Sequence, residues 1–256
     1  MLTLLSPAKK QTASPLSPTL PSRQPRFISK TTGLMKLLSK MDAEALMKLM
    51  HISSKLAELN VQRNQDFSFP HTLENATQAG LVFDGDTYIG LDSHSFSKQE
   101  WEFCHDHLAI LSGLYGLLSP LDLIQPHRLE MGTRLQNPIG ATLYAYWGEQ
   151  ITEEINRILE HKPDNWLINL ASQEYFKVVR TDKLDSQLLT PVFKDNRNGK
   201  LQVIGIKAKR ARGKMARYII RNKLTTPEPL KQFNEDGYVY QSELSNRQQW
   251  VFVCDD

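Results

Sequence analysis

Thr190-Pro191-Val192-Phe193-Lys194, then Asn198-Gly199, then Lys200-Leu201-Gln202-Val203-Ile204-Gly205-Ile206 is the stretch that decides the fold. Asn-Gly supplies both central residues of a two-residue hairpin, where positive φ is needed, so residues 190–194 and 200–206 are predicted to pair as strands. The periodicity then changes. Ala208, Ala211, Met215, Tyr218 and Ile219 recur at helical spacing, which predicts a helix from about Lys207 to Leu224, stopped by Pro227. A strand hairpin that runs into an amphipathic helix points to a mixed α/β architecture.

The rest of the chain agrees. Trp166–Leu170 and Leu2–Leu5 read as short buried strands, and Tyr238–Tyr240 and Trp250–Val253 as two further candidates. Positions 6–26 hold Pro7, Pro15, Pro18, Pro21 and Pro25 and predict a long surface loop. Leu34, Leu37 and Leu38 mark one helix, Asp42 caps a second carrying Leu46, Leu49 and Met50, and Leu56 and Leu59 continue the pattern in a third. Ser97 with Glu100 forms a capping-box pattern that opens a helix expected to reach Leu111. Ala141 to Leu159 reads as one long helix. No repeat or low-complexity linker divides the 256 residues, so the expectation is one domain over 1–256, a mixed sheet with flanking helices.

Whole-chain numbers exclude more than they assign. A net charge of +3 does not by itself name a partner. Cys104 and Cys254 lie far apart without CxxC spacing, which suggests inert thiols. No run approaches the ~20 apolar residues that span a bilayer, and the short apolar start is broken by Pro7, so a cytoplasmic location is expected.

The positive charge is unevenly placed. From Asn196 to Pro227 there is no acidic residue, while Arg197, Lys200, Lys207, Lys209, Arg210, Arg212, Lys214, Arg217, Arg221 and Lys223 crowd the segment. Arg210, Lys214, Arg217 and Arg221 share one helical face. Like charges so spaced repel by a few tenths of a kcal/mol per pair, and Gly213 costs the helix roughly 1 kcal/mol relative to Ala. Either an anionic partner relieves this ridge, or carboxylates from elsewhere in the fold neutralise it. On the first reading, reversing Arg210, Lys214 and Arg217 to Glu abolishes binding and leaves the fold intact.

Gly113 and Gly116 break the apolar run after the Ser97 helix. Such a turn either exposes backbone N–H groups to a phosphate or packs tightly. Asp86, Asp122, Glu130 and Glu174 are candidate acids, bases or metal ligands, or else buried partners of Arg128 and Lys177. Arg128 and Glu130 alternate and share a face if that segment is extended. The i, i+2 pair His105 and His107 points to different sides, so surface or capping roles are expected for the histidines. GxGxxG, Walker A, HExxH and GxSxG are missing.

Ser6-Pro7-Ala8-Lys9, Ser54-Lys55-Leu56-Ala57, Gly85-Asp86-Thr87-Tyr88-Ile89-Gly90-Leu91, Gly113 to Gly132, Asn169-Leu170-Ala171-Ser172-Gln173-Glu174-Tyr175-Phe176-Lys177 and Ala211 to Ile220 occur in that order. The ordered set resembles the YaaA family of peroxide-stress proteins over nearly the whole chain. Lys10 stands where that family commonly has Thr, and Ser119 where Arg often precedes Pro. The resemblance implies a compact single-domain α/β fold, a positively charged cleft, a helix-hairpin-helix-like element, here placed at Gly113 and Gly116, and DNA binding in oxidative stress. The DNA-binding candidates are Lys9, Gly113, Gly116, Arg128, Lys207, Lys209, Arg210, Arg212, Lys214, Arg217 and Arg221. The expected partner is double-stranded DNA held by a monomer mainly through phosphate contacts, with no metal and no cofactor. The other reading is a metal-dependent or acid/base enzyme acting on nucleic acid or a nucleotide. Direct iron binding is a third, without supporting ligand spacing.

Overall fold

The computed structural model describes residues 1–12 and 20–255. The N-terminal half runs β1 (Leu2–Leu5), β2 (Lys10–Gln11), α1 (Ile28–Leu38), α2 (Ala43–Met50), α3 (Ser54–Asp66), β3 (Thr77–Gln78), α4 (Ala79–Val82), β4 (Phe83–Asp84) and α5 (Asp86–Leu91). Next come α6 (Lys98–His107), β5 (Leu108–Ser112), β6 (Gly116–Leu118), β7 (Leu123–Ile124), α7 (Leu143–Trp147) and α8 (Gln150–Glu160). The chain closes with β8 (Trp166–Asn169), α9 (Gln173–Phe176), β9 (Gln187–Arg197), β10 (Lys200–Gln202), α10 (Gly205–Arg221), β11 (Val239–Gln241) and β12 (Gln249–Asp255).

One eight-stranded mixed sheet organises the molecule, in the order β11-β12-β9-β8-β1-β5-β6 with β10 paired to β9. From β12 to β5 every neighbour is parallel. β1 and β5 are buried along their whole length, as strands covered on both faces must be, and they read as unbroken apolar runs for that reason. The architecture is the mixed α/β domain the sequence predicts.

Several boundaries differ, each for a local reason. The Ser97 helix keeps its capping box but ends at His107, because Leu108–Ser112 joins β1 as a parallel strand. An apolar run of this length suits a buried strand as well as a helix. The expected helix over 141–159 is cut in two at Gly148, whose φ is +54°. Asn198 and Gly199 adopt φ of 52° and 80° and form the hairpin, yet β10 stops at Gln202 and α10 begins at Gly205. The stretch 13–19 of the expected proline-rich loop lies outside the described residues.

Helix α10 crosses α5 at very close range. A Cβ on Gly213 would lie 1.8 Å from the Thr87 carbonyl oxygen, and one on Gly90 would lie 2.2 Å from that of Arg210. The glycine that weakens α10 as a helix is what lets the two backbones meet.

Candidate functional site

The strand order reverses at β1, which has β5 on one side and β8 on the other. Loops leaving the carboxyl ends of such strands diverge and open a crevice, the usual ligand site of open α/β sheets. Here Ser6 follows β1 and Ser172 follows β8. The Ser172 N–H donates to Ser6 Oγ at 2.8 Å, and the Tyr88 hydroxyl donates to the Ser6 carbonyl at 3.1 Å. Pro7, Lys9, Ser112, His127, Arg128, Glu130 and Tyr175 line the crevice.

Its charged groups converge on one carboxylate. Glu130 takes Lys9 Nζ at 2.9 Å on one oxygen and Arg128 Nη2 at 3.0 Å on the other. Arg128 and Glu130 thus share a face, as their alternation implies, although the segment forms no ladder strand. The Arg128 Nε is buried without a hydrogen-bond partner. Arg63, from α3, is held below the usual guanidinium range by burial and by nearby Arg128. Glu174, also close, accepts from the Gly132 N–H at 3.0 Å.

Two of the histidines expected in surface or capping roles are buried. His127 is fixed by the Gln11 side chain, which accepts from its backbone N–H at 2.9 Å, and its Nδ1 lies 2.9 Å from the Gln125 carbonyl. Burial holds its pKa down at about 4, so the ring is neutral near pH 7. His71 is likewise pushed down to about 4 by burial. His105 and His107 do point apart, to Ser119 Oγ and to the Met1 carbonyl. Cys104 is buried, and burial raises its thiol far above the usual range.

Gly113 and Gly116 do not present an open turn. They belong to the buried β5–β6 hairpin. A Cβ on Gly113 would sit 2.3 Å from the Leu129 carbonyl, and Gly116, at φ +74°, faces the Trp147 ring. This is the tight packing turn, with no backbone N–H facing solvent for a phosphate.

The basic ridge is also not free. Arg210 meets Asp86 at 3.0 Å, Lys214 meets Asp236, and Arg217 meets Glu235 at 2.6 Å and Asp92 at 3.6 Å. Arg221 lies 3.7 Å from Glu100 and 3.9 Å from Asp92. Lys207 reaches the fully buried Asp195 at 2.6 Å, and Arg212 donates to the Ala208 carbonyl within its own helix. Lys209 alone among the named cations of this helix is exposed with no ion pair among the described residues. Carboxylates from outside α10 neutralise the face, because distant segments fold against it.

Asp86 is taken up by that pairing. Asp122 is buried against the Ser119 N–H at 2.8 Å, and burial raises its pKa to about 7. Among the described residues no three His, Cys, Asp or Glu side chains gather as a metal ion requires, and no helix is long and apolar enough to cross a membrane.

Sequence reasoning missed Gln11 and Tyr175 as crevice groups and Arg63 as a neighbour of Arg128, since nothing in the local pattern links α3 to the 127–130 segment. The second and third helices expected from the leucine spacing form as α2 and α3, and a tight connection joins them. α2 ends at His51 in the left-handed conformation (φ 52°), and α3 starts after Ser53, whose side chain accepts from the Leu56 N–H. Ser53, Ser54 and Lys55 are all exposed.

The family described as peroxide stress protein YaaA matches residues 1–244. A UPF0246 protein of Magnetococcus marinus is 54% identical over 258 residues, covering 99% of this chain and 98% of its own. A UPF0246 protein of Teredinibacter turnerae is 48% identical over 253 residues, with 99% of each chain covered.

Proposed function

Because the chain belongs to the YaaA family of peroxide stress proteins, we propose that it serves that response by binding duplex DNA through phosphate contacts along α3 and the crevice. The carrying observation is the charge count at the crevice mouth. Lys9 and Arg128 both pair with Glu130, Arg63 stands close enough to Arg128 to feel its charge, and Glu174 is turned to Gly132. Guanidinium groups in excess over carboxylates suit phosphate oxygens, which they grip in a fork. α3 extends this track outward to Lys55, beside the short α2–α3 hairpin, which we read as the helix-hairpin-helix-like element. Lys209 is the one α10 cation available to add to it.

The reading gives a number. If Lys55, Arg63, Arg128 and Lys9 each meet one phosphate, affinity falls roughly 10²-fold between about 50 and 200 mM salt. Fluorescence anisotropy on duplex DNA tests this. Lys9→Glu with Lys55→Glu, both exposed, is expected to remove most binding. Undiminished affinity in that variant, or binding indifferent to salt, refutes the placement.

The enzymatic reading has one observation in its favour. A neutral buried His127, Tyr175 and Glu130 line a crevice at the sheet position where α/β enzymes hold their ligands. Incubating DNA or nucleotides with the protein and Mg²⁺ or Mn²⁺ tests it; products that vanish in Glu130→Gln support it, and unaltered substrate removes it.

A further inference from the structure

A second polar cavity lies at the opposite end of the sheet. It has a volume of about 200 Å³ and opens beside Leu2 and Leu108, the first residues of β1 and β5. Arg23, Arg26, His105 and Lys162 stand around it, against one lining carboxylate, Asp106. Leu117, Leu118 and Ile158 complete an apolar floor.

These cations are placed by structure. The backbone of Arg23 is pinned on both sides, its N–H donating to the Leu121 carbonyl and its carbonyl accepting from Leu123. The Arg23 side chain has no ion pair among the described residues. Arg26 is steadied by Glu154, which also holds Arg157. His105 Nδ1 lies 2.6 Å from the hydroxyl of Ser119, a buried residue. Burial and then the positive neighbours Arg23, Arg26 and Lys162 push His105 below its ordinary pKa, with Asp106 opposing them. Burial does the same to Lys162. Three cations held together in a partly dry hollow repel one another, and an anion seated among them relieves that repulsion.

We infer that this cavity binds a phosphate monoester, its phosphate between Arg23, Arg26 and Lys162 and a compact apolar or planar body on the Leu2–Leu117–Ile158 floor. The site is separate from the crevice, and the inference does not depend on the DNA reading. His105 gives the phosphate a third side, its Nε2–H donating at the edge while the Ser119 hydroxyl donates to Nδ1.

The probes are phenyl phosphate and inorganic phosphate, titrated into the full chain by calorimetry and by following the His105 ring signals in NMR spectra. Saturable binding that moves His105 is expected, with phenyl phosphate the tighter of the two. Arg23→Ala and Lys162→Ala, both on the rim, are each expected to weaken it about tenfold or more, the usual scale for a charged hydrogen bond. Lys9→Glu in the crevice leaves it unchanged. Absence of saturation by either probe up to ~10 mM, or equal affinity in both rim variants, overturns the site. Equal binding of the two probes overturns the role given to the apolar floor.

Discussion

Gly213 of α10 faces the carbonyl oxygen of Thr87 so closely that a Cβ there would stand 1.8 Å from it. Gly213→Ala improves helix propensity by roughly 1 kcal/mol, and on an exposed face it would stabilise. At this crossing the obstruction is backbone, so α5 and α10 must separate. Overpacking of this kind costs about 1–3 kcal/mol or more. The variant is therefore expected to melt below the wild type in thermal denaturation followed by circular dichroism. A higher melting temperature would mean that the two helices part at little cost.

Arg217 gives the ridge its second test. Its side chain is only 17% exposed and bridges Glu235 and Asp92. Reversal to Glu sets three carboxylates together, and the expected loss is about 1–3 kcal/mol. Replacing Glu235 by Arg in the same chain restores part of it, because the pair is rebuilt with its signs exchanged. Denaturant unfolding of the two single variants and the double measures the coupling. This outcome replaces the one drawn from helical spacing alone, in which charge reversal leaves the fold untouched.

What the sequence made legible follows from how local each signal is. The Asn198-Gly199 hairpin, the Asp42 cap and the Ser97–Glu100 box are decided within a few residues, and all three form. Leu108–Ser112 was misread because a buried parallel strand and a helix end share one apolar pattern. The α10 cations were visible, but Asp86, Asp92, Glu100, Glu235 and Asp236 reach them from segments distant in sequence. Spacing within a helix carries no information about such partners. The crevice is the same case. Lys9, Arg128 and Glu130 were named from motifs, whereas Arg63 comes near Arg128 only through the packing of α3.

Asp122 yields a pH prediction. Burial raises its pKa in the fold from 3.8 to about 7. The protonated carboxyl is thus favoured by the fold, and its contribution to stability is complete below about pH 4 and lost as pH rises toward 7. Asp122→Asn keeps an oxygen to accept from the Ser119 N–H and cannot ionise. The variant is expected to gain stability over the wild type progressively between about pH 4 and 7, with a constant margin above. Urea unfolding at a series of pH values reads the margin directly. A margin independent of pH would show that Asp122 keeps its ordinary pKa.

The buried histidines push the other way. His71 Nδ1 lies 3.0 Å from the Ser68 carbonyl and its Nε2 lies 3.1 Å from the Tyr115 hydroxyl, which itself accepts from the Gln125 N–H. Nδ1 faces a carbonyl and so carries the proton of the neutral ring, which leaves Nε2 to accept from the Tyr115 hydroxyl. With its pKa pushed down from 6.5 to about 4, the ring stays neutral in the fold while the unfolded chain takes up a proton. Stability is therefore lost as pH falls from about 6.5 toward 4. His71→Leu removes the titration and leaves Tyr115 without its acceptor, at a cost of about 1–3 kcal/mol near neutrality. The gap between variant and wild type is expected to narrow as pH falls, since only the wild type carries the acid penalty. Asp122 is common to both chains and cancels in the difference. NMR titration of the His71 ring decides the cause: a midpoint near 4 agrees, and one near 6.5 places the acid sensitivity elsewhere.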